Sequence, residues 1–288
     1  MSILAVIRYR FFFFAGFFPY LLGQAIAFGT SGLLDWSRFS WGLAGVFLIL
    51  MAVELFNEYF DDRTGGDRIF APEKPVVPAY FFSLGIAATG VAFLIGLYLT
   101  ARVGWPVLAF AFLGFLGAYF YVGPPIRWAY RGLGELTIAL CYGPLMVLGS
   151  SYIQTGTIGL APLFASLICA WSIFCLAVLN EIPDYYQDRL VGKRNLVVRL
   201  GRQRAAAMLR ASLPGLFLLL LIGVVLRIVP WPAVAAFVML PLVLKSAKNL
   251  GNNYDKPENL LGAVNAAVLN HVVIALSLSM AFVVGHLL

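Results

Sequence analysis

The chain has 288 residues, of which 61% are hydrophobic and only 11% are charged, with a mean hydropathy of +0.90. This composition excludes a soluble globular domain and a disordered chain, because neither carries so large an apolar fraction. The formal net charge of +7 indicates basic loops at a membrane surface and an anionic ligand, not a nucleic-acid partner. We therefore predict a polytopic membrane protein embedded in a lipid bilayer.

Windows of about 20 apolar residues, the length that a helix needs to cross roughly 30 Å of hydrocarbon, recur along the chain. A backbone that faces lipid must satisfy its own hydrogen bonds, so these windows are predicted as helices. The two halves of the series are a possible parallel repeat, helices 1–4 and 5–8, followed by a ninth helix. The prediction is a single all-α domain over residues 1–288 with nine transmembrane helices near 11–30, 42–60, 78–100, 104–122, 134–152, 159–182, 206–228, 230–247 and 261–287.

The distribution of basic residues predicts the orientation of these helices. When the N-terminus and the loops after the second, fourth, sixth and eighth spans share one side, all but three of the 20 basic residues lie there. The exceptions are Arg38, Arg102 and Arg227. Because Lys and Arg concentrate in cytoplasmic loops, we expect a protein of the cell inner or plasma membrane with its N-terminus in the cytoplasm and its C-terminus outside.

The second predicted span ends in an acidic segment that reads Asn-Glu-Tyr-Phe-Asp from Asn57 to Asp61. These two residues are four positions apart and therefore share one face of a helix. The paired glycines Gly65 and Gly66 are expected to end the helix and to let Asp67 turn back towards that face.

The loop after the fourth predicted span begins with Tyr121 and contains a Pro-Pro pair before Arg127. Proline restricts the backbone, so this loop presents a tyrosine and an arginine in a stiff segment at the same edge of the membrane. Arg127 is interpreted as a ligand of an anionic group rather than as a simple membrane anchor.

The acidic segment returns after the sixth predicted span as Asn-Glu-Ile-Pro-Asp, from Asn180 to Asp184. On a continuous helix Asn180, Asp184 and Asp188 would form one polar stripe. Lys193 follows within a few residues and is interpreted, like Arg127, as a ligand of an anionic group.

An even number of membrane crossings separates the two acidic segments, so both are expected on one side and facing one cavity. Their oxygen ligands, without His or Cys, suit Mg²⁺ better than zinc or copper. Because Mg²⁺ commonly bridges carboxylates to phosphate groups, the two segments predict a bound diphosphate. Glu58 and Glu181 are rotated by about 100° from the polar face and are expected to act indirectly.

Two other interpretations remain at this point. A solvated helix end or a salt bridge to arginine explains any single acid, but it does not explain the repeated set. A secondary transporter would also carry carboxylates that bind a coupling ion. The acids of this chain lie at helix ends beside basic residues, which favours an anionic ligand and hence an enzyme.

The motifs resemble those of the UbiA superfamily of intramembrane prenyltransferases, over nearly the whole chain. They are Asn-x-x-x-Asp after the second span, Tyr-x-x-Pro-Pro-x-Arg after the fourth, and Asn-x-x-x-Asp-x-x-x-Asp followed by Gly-Lys after the sixth. The resemblance implies nine helices around a central cavity beneath cytoplasmic cap loops. It also implies Mg²⁺-dependent transfer of a polyprenyl group from its diphosphate to an aromatic acceptor.

The resemblance assigns roles to individual residues. Two Mg²⁺ ions are expected on Asn57, Asp61, Asp67, Asn180, Asp184 and Asp188. The residues expected to be catalytic are Asp61, Asp184, Lys193 and Arg127. The residues expected to bind the substrates are Asn57, Asn180, Tyr121, Arg63 and Lys74.

The interval from Asn57 to Asp67 is similar to that of the menaquinone branch of the superfamily, whereas a shorter interval is usual in the 4-hydroxybenzoate branch. The implied acceptor is 1,4-dihydroxy-2-naphthoate, which would be prenylated with loss of its carboxylate. Transfer to 4-hydroxybenzoate or to a glyceryl-phosphate lipid stays open as an alternative.

Overall fold

The structure is a computed structural model that describes residues 16–65, 76–252 and 254–287. Over these ranges the regular structure is helical and no strand is present. Seven helices within them are long and apolar enough to cross a membrane. The prediction of an all-α membrane protein is therefore confirmed for the described part of the chain.

The helices are numbered in chain order over the described ranges. They are α1 Phe18–Ser31, α2 Trp36–Thr64, α3 Tyr80–Val103, α4 Pro106–Phe120, α5 Gly134–Thr155, α6 Leu160–Glu181, α7 Tyr185–Leu190, α8 Leu196–Leu200, α9 Arg202–Val225, α10 Trp231–Gly251 and α11 Pro257–Leu287. Two of them are irregular: α5 contains a π-helical turn at Cys141–Leu145, and α10 begins as a 3₁₀ helix at Trp231–Met239.

The seven membrane-length helices are α2, α3, α5, α6, α9, α10 and α11. The predicted span 104–122 falls on α4, which has only 15 residues. The predicted span 11–30 begins outside the described residues, and its described part contains the 14-residue α1. The count of nine transmembrane helices therefore stays a prediction.

Helix α6 lies at the centre of the bundle, where it contacts α5, α9 and α11. Its contact with α5 depends on Gly143, because a Cβ atom at that position would lie 2.7 Å from the backbone oxygen of Ser166. Small residues at helix crossings allow such close approach inside a membrane. The cysteines of these two helices, Cys141, Cys169 and Cys175, form no disulfide and pack among apolar side chains.

Polar contacts join α1, α2 and α5 at one end of the bundle. The Asp35 carboxylate accepts hydrogen bonds from the first backbone amides of α2 and caps that helix. Gln24 donates to the backbone oxygen of Ser150 over 2.8 Å, and Gln154 donates to Gln24 over 2.7 Å. These two bonds hold α1 against α5, and the Asp35 backbone amide, which donates to Gln154 Oε1 over 2.9 Å, ties the start of α2 to α5. Helix α2 then carries its acidic segment to the other end of the bundle.

Candidate active site

A cavity of about 1290 Å³ lies between α2, α3, α4 and α5, and the final turn of α6 contributes to its wall. Most of the lining is apolar. The carboxylates of Asp61, Asp184 and Asp188 line it where α2 and α6 finish, and we call this region the acidic end. A largely apolar pocket with polar groups gathered at one end suits an amphipathic ligand that has a long apolar tail.

The structure brings most of the predicted site residues together. Those that line the cavity are Asn57, Asp61, Tyr121, Asn180, Asp184, Asp188 and Lys193. The two acidic segments, far apart in the sequence, therefore share one cavity. The expectation that they face each other is met in the described part of the chain.

The first acidic segment belongs to one unbroken helix. α2 continues through Asn57 and Asp61 as far as Thr64, whose hydroxyl donates to the Asp61 backbone oxygen over 2.8 Å. Gly65 follows with φ of +73°, a left-handed conformation that glycine adopts without strain. The prediction that glycine ends this helix is confirmed, whereas the predicted ligand Asp67 lies outside the described residues.

The second acidic segment is not one continuous helix, which corrects the predicted stripe. α6 ends at Glu181, a turn follows, and α7 begins at Tyr185. Pro183 stands in this turn because its ring carries no N–H and would collide with the carbonyl four residues earlier in a helix. Asp184 and Asp188 still line the cavity, and the backbone amide of Asp188 donates to the oxygen of Asp184 over 2.8 Å.

Lys193 lies between the two acidic segments. Its ammonium is 3.5 Å from Asp61 Oδ1 and 3.6 Å from Asp188 Oδ1. Burial lowers the pKa of this ammonium, but the two carboxylates outweigh burial and hold its pKa above the usual value. Burial also raises the pKa of the Asp188 carboxyl, and Lys193 opposes that shift. One cation thus joins an acid from each half of the chain.

Asn195 holds Asp188 in place, and sequence reasoning did not identify it. Its buried side chain donates to Asp188 Oδ2 over 2.7 Å and accepts from the backbone amide of Val198 over 2.8 Å, which caps α8. The backbone amide of Leu196 donates to the buried carboxylate of Glu135 on α5. The cap of α8 is a local contact that an asparagine at this position could have signalled. The contacts with Asp188 and Glu135 could not be predicted in this way, because they depend on how the chain turns back after α7.

The two predicted site residues of the loop after α4, Tyr121 and Arg127, lie in different positions relative to the cavity. Tyr121 lines the cavity, whereas Arg127 is not among the residues that line it. The Arg127 guanidinium is 5.6 Å from the centre of the Tyr130 ring, and the Lys193 ammonium is 5.8 Å from the same ring. Tyr130 therefore contacts both cations, and Arg127 lies just behind the acidic end.

The remaining predicted substrate residues do not join the cavity in the described ranges. The Arg63 guanidinium stacks over the ring of Tyr59 at 3.4 Å and donates to its backbone oxygen, so it points along the surface of α2. Lys74 lies outside the described residues. The roles of Arg63 and Lys74 in binding substrate stay predictions.

The cavity lining also contains polar residues that the sequence did not single out as ligands, among them Glu54, Glu58, Tyr142 and Glu181. Glu58 and Glu181, expected to act indirectly, both face it. Glu54 and Tyr142 lie farther from the acidic end, where most of their neighbours are apolar. The position of Glu54 within the second predicted span was a usable signal, because a carboxylate inside a membrane helix marks a functional site by default.

The oxygen atoms of the acidic end fit Mg²⁺. Within the described residues no three His, Cys, Asp or Glu side chains are close enough to hold an ion by themselves. Mg²⁺, however, takes few protein ligands and completes its shell with water and phosphate oxygens. Asn57 Oδ1 is buried and lacks a hydrogen-bond partner among the described residues, so it is an acceptor placed for a cation or a donor. The residues that would hold the metal are Asn57, Asp61, Asn180, Asp184 and Asp188.

Comparison with known proteins identifies the family of this chain. The model of the UbiA prenyltransferase family matches residues 16–262. The 1,4-dihydroxy-2-naphthoate octaprenyltransferase of Bacillus subtilis is 27% identical over 281 residues, which cover 94% of this chain and 89% of that protein. The 2-carboxy-1,4-naphthoquinone phytyltransferase of Synechocystis is 28% identical, with 88% of this chain and 84% of that protein covered.

Solved structures share the fold. A digeranylgeranylglyceryl phosphate synthase superposes with a TM-score of 0.72 over 98% of this chain and 97% of that chain. A UbiA homolog from Archaeoglobus fulgidus, bound to GPP and Mg²⁺, superposes with a TM-score of 0.63 over 98% of this chain and 99% of the other. Both are only 16% identical in sequence, so they establish the fold alone.

Proposed function

The chain belongs to the UbiA prenyltransferase family and is a membrane prenyltransferase, and from this membership we propose that it prenylates 1,4-dihydroxy-2-naphthoate in menaquinone biosynthesis. The donor is a polyprenyl diphosphate. The observation that carries the proposal is the meeting of both acidic segments at one end of a long apolar cavity. The names of the Bacillus and Synechocystis relatives support a naphthalene-type acceptor with a carboxyl group.

The shape of the cavity supports a polyprenyl donor. Residues of α2 from Gly42 to Asp61 line it, and at about 1.5 Å per residue this stretch of helix is about 28 Å long. A diphosphate at the acidic end would therefore leave an apolar channel for several isoprenoid units. Helix α2 forms one wall of that channel, and Phe93, Phe110 and Phe115 contribute aromatic rings to the lining.

The acidic end is proposed to hold the diphosphate through two Mg²⁺ ions on the oxygen ligands named above, with Asp67 as a further ligand. When bound, Mg²⁺ supplies positive charge to the diphosphate oxygens and so assists departure of the leaving group. Lys193 adds a cation that touches both segments, and Arg127 adds a second one behind Tyr130. The Mg²⁺ that accompanies GPP in the Archaeoglobus structure supports this choice of metal.

In the proposed reaction, a bond from the acceptor ring to the prenyl group replaces the bond from the ring to its carboxylate. The allylic C–O bond breaks and diphosphate leaves with the electron pair. The ring carbon that bears the carboxylate attacks the allylic carbon, and the carboxylate departs as CO₂ while its bonding electrons return to the ring. The apolar walls of the cavity keep water from the allylic cation, which water would convert to an alcohol.

The orientation in the membrane is proposed from the positive charges. The cations Arg127, Lys193 and Arg199 support a cytoplasmic position for this end, because Lys and Arg concentrate on the cytoplasmic side. The N-terminus would then be cytoplasmic as well. A water-soluble acceptor and the diphosphate product would exchange with the cytoplasm through the acidic end.

Purified protein in nanodiscs, supplied with Mg²⁺ and a polyprenyl diphosphate, tests the proposal against a panel of acceptors. The expected product is a prenylated naphthoquinol from dihydroxynaphthoate, with release of diphosphate and CO₂, and EDTA should abolish it. Preferential use of 4-hydroxybenzoate or of a glyceryl-phosphate lipid would refute the acceptor and leave prenyl transfer intact. Full activity in EDTA would refute the metal assignment.

A further inference from the structure

We propose that Glu54 and Tyr142 bind a ring hydroxyl of the aromatic acceptor, farther from the acidic end than the metal ligands. The inference rests on the proposed function, since it assigns the acceptor's part of the same cavity. The recognised feature of the acceptor is a phenolic or naphtholic hydroxyl, and the side chains of Glu54 and Tyr142 recognise it.

The position of Glu54 on α2 sets the depth of this subsite. Glu54 precedes Asn57 by one helical turn and Asp61 by two, so all three share one face of the helix. At about 1.5 Å per residue, Glu54 lies roughly 10 Å deeper than Asp61. Its side chain is only 7% exposed and lines the cavity. A carboxylate held at this depth is costly and therefore indicates a ligand-binding role.

Tyr142 reaches a similar depth from the opposite helix. It lies eight residues after Gly134, the first residue of α5, or about 12 Å from that end, while Glu54 is about 15 Å from the end of α2 at Thr64. Tyr142 is buried and lines the same cavity as Glu54. Two polar groups from different helices thus line the apolar part of the cavity at a similar depth.

The backbone around Tyr142 is irregular and closely packed. Tyr142 belongs to the π-helical turn Cys141–Leu145, which accommodates Pro144 inside α5. π-helical turns occur frequently at functional sites, because the extra residue changes the direction of a side chain. The next residue, Gly143, packs so closely on α6 that a Cβ atom would lie 2.5 Å from Ala170 Cβ. This contact fixes the turn and with it the direction of the tyrosine.

The chemistry of the two groups selects a hydroxylated ring. The Glu54 carboxylate accepts a hydrogen bond from the hydroxyl, and such charge-assisted bonds are about twice as strong as neutral ones. Apolar neighbours such as Leu50, Ile138 and Ala177 form walls for the ring. A hydroxyl that donates to a carboxylate makes its ring richer in electrons, which favours attack on the allylic carbon. The acceptor's own carboxylate would be repelled by Glu54 and turned towards the cations of the acidic end.

The test compares binding of a hydroxynaphthoate with binding of its methyl ether, using metal-free protein in nanodiscs and titration calorimetry. Glu54→Gln and Tyr142→Phe are compared with two matched controls. The controls are Glu258→Gln, at the exposed start of α11, and Tyr152→Phe, a buried tyrosine of α5 that does not line the cavity. The hydroxyl compound should bind about tenfold more weakly to Glu54→Gln than to wild type. The methyl ether should bind equally to all five proteins.

A second measurement separates this role from a structural one and from the proposed function. Mg²⁺-dependent binding of a non-reactive prenyl thiodiphosphate should stay within twofold of wild type in Glu54→Gln and Tyr142→Phe. Unchanged binding of the hydroxyl compound by both variants would overturn the inference, as would equal loss of both naphthoates and the thiodiphosphate. Because neither measurement requires turnover, failure of wild type to prenylate dihydroxynaphthoate would refute the proposed function without deciding this test.

Discussion

The two acidic segments have nearly the same sequence, yet different backbones hold them in the cavity. The first follows an unbroken α2 and is rigid because each residue continues a helix. The second crosses a break at Pro183, and its last acid is held by side chains, with Asn195 bonded to Asp188 Oδ2. Lys193 contacts one acid of each. The two copies of the motif thus offer the same types of side chain to a ligand, although one copy is positioned by a continuous helix and the other by a turn and side-chain contacts.

The largest effect is expected when each segment loses one carboxylate. Asp61→Ala and Asp184→Ala should each lower kcat/KM for prenyl transfer about 10²–10³-fold, because preorganised charge stabilisation of the leaving group is lost. If both carboxylates serve one diphosphate, the double variant should lose less than the product of the two effects. Asp255→Ala, which removes an exposed carboxylate away from the cavity, is the control. Strict multiplicativity of the two effects would indicate independent sites.

Removing the cation between the segments should have the next largest effect. Lys193→Met keeps the apolar stem but loses the charge that touches Asp61 and Asp188. We expect single-turnover rates at saturating Mg²⁺ to fall about 10²-fold, because a cation facing the leaving group is lost. Lys245→Met, on the exposed face of α10, should have no effect. A wild-type rate for Lys193→Met would show that this cation serves structure alone.

Restoring a continuous helix should distinguish the two segments directly. Pro183→Ala allows α6 to extend and to rotate Asp184 and Asp188 relative to Asp61, so we expect about tenfold weaker activation by Mg²⁺. Circular dichroism should show no loss of helix. Pro162→Ala is the matched control, because proline in the first turn of a helix removes no hydrogen bond. Unchanged Mg²⁺ activation in Pro183→Ala would mean that the break does not position the acids.

The smallest effect is expected from the side chain that holds Asp188. Asn195→Ala removes one buried hydrogen bond to that carboxylate and the cap of α8. A net loss of about 1 kcal/mol predicts roughly fivefold weaker activation by Mg²⁺. Asn195→Asp keeps the cap but places a second carboxylate beside Asp188, and it should disturb metal activation at least as much. If Asn195→Asp restored wild-type activation, the contact with Asp188 would not be the relevant one.

Several features of this molecule were readable from local patterns. The apolar windows predicted the membrane helices, because the bilayer demands length and apolar character of each helix separately. The four-residue interval in the first segment placed Asn57 and Asp61 on one face, and the glycine at 65 ended that helix. Pro183 was an equally local signal against a continuous second stripe, and the prediction of that stripe was wrong.

The contacts between distant parts of the chain required the tertiary structure. Lys193 beside Asp61 and Asn195 on Asp188 each join side chains from different helices or loops. Glu54 and Tyr142 line one cavity from two helices that are far apart in the sequence. Arg127, predicted as a ligand of an anionic group, does not line the cavity and contacts Tyr130 behind it, and its catalytic role stays a prediction. Its φ of 52° directs the chain in a way that residue type alone does not indicate.

The sequence by itself determined the class of fold, the family and the residue types that can hold Mg²⁺ and a diphosphate. These properties follow from composition and from spacing along single helices, where the rise and twist per residue are constant. The tertiary structure alone decided which cation joins the two segments, which side chain positions Asp188, and that Glu54 and Tyr142 line the same cavity as the acidic segments. Those features depend on how helices pack and loops return, and such long-range geometry has no fixed period in the sequence.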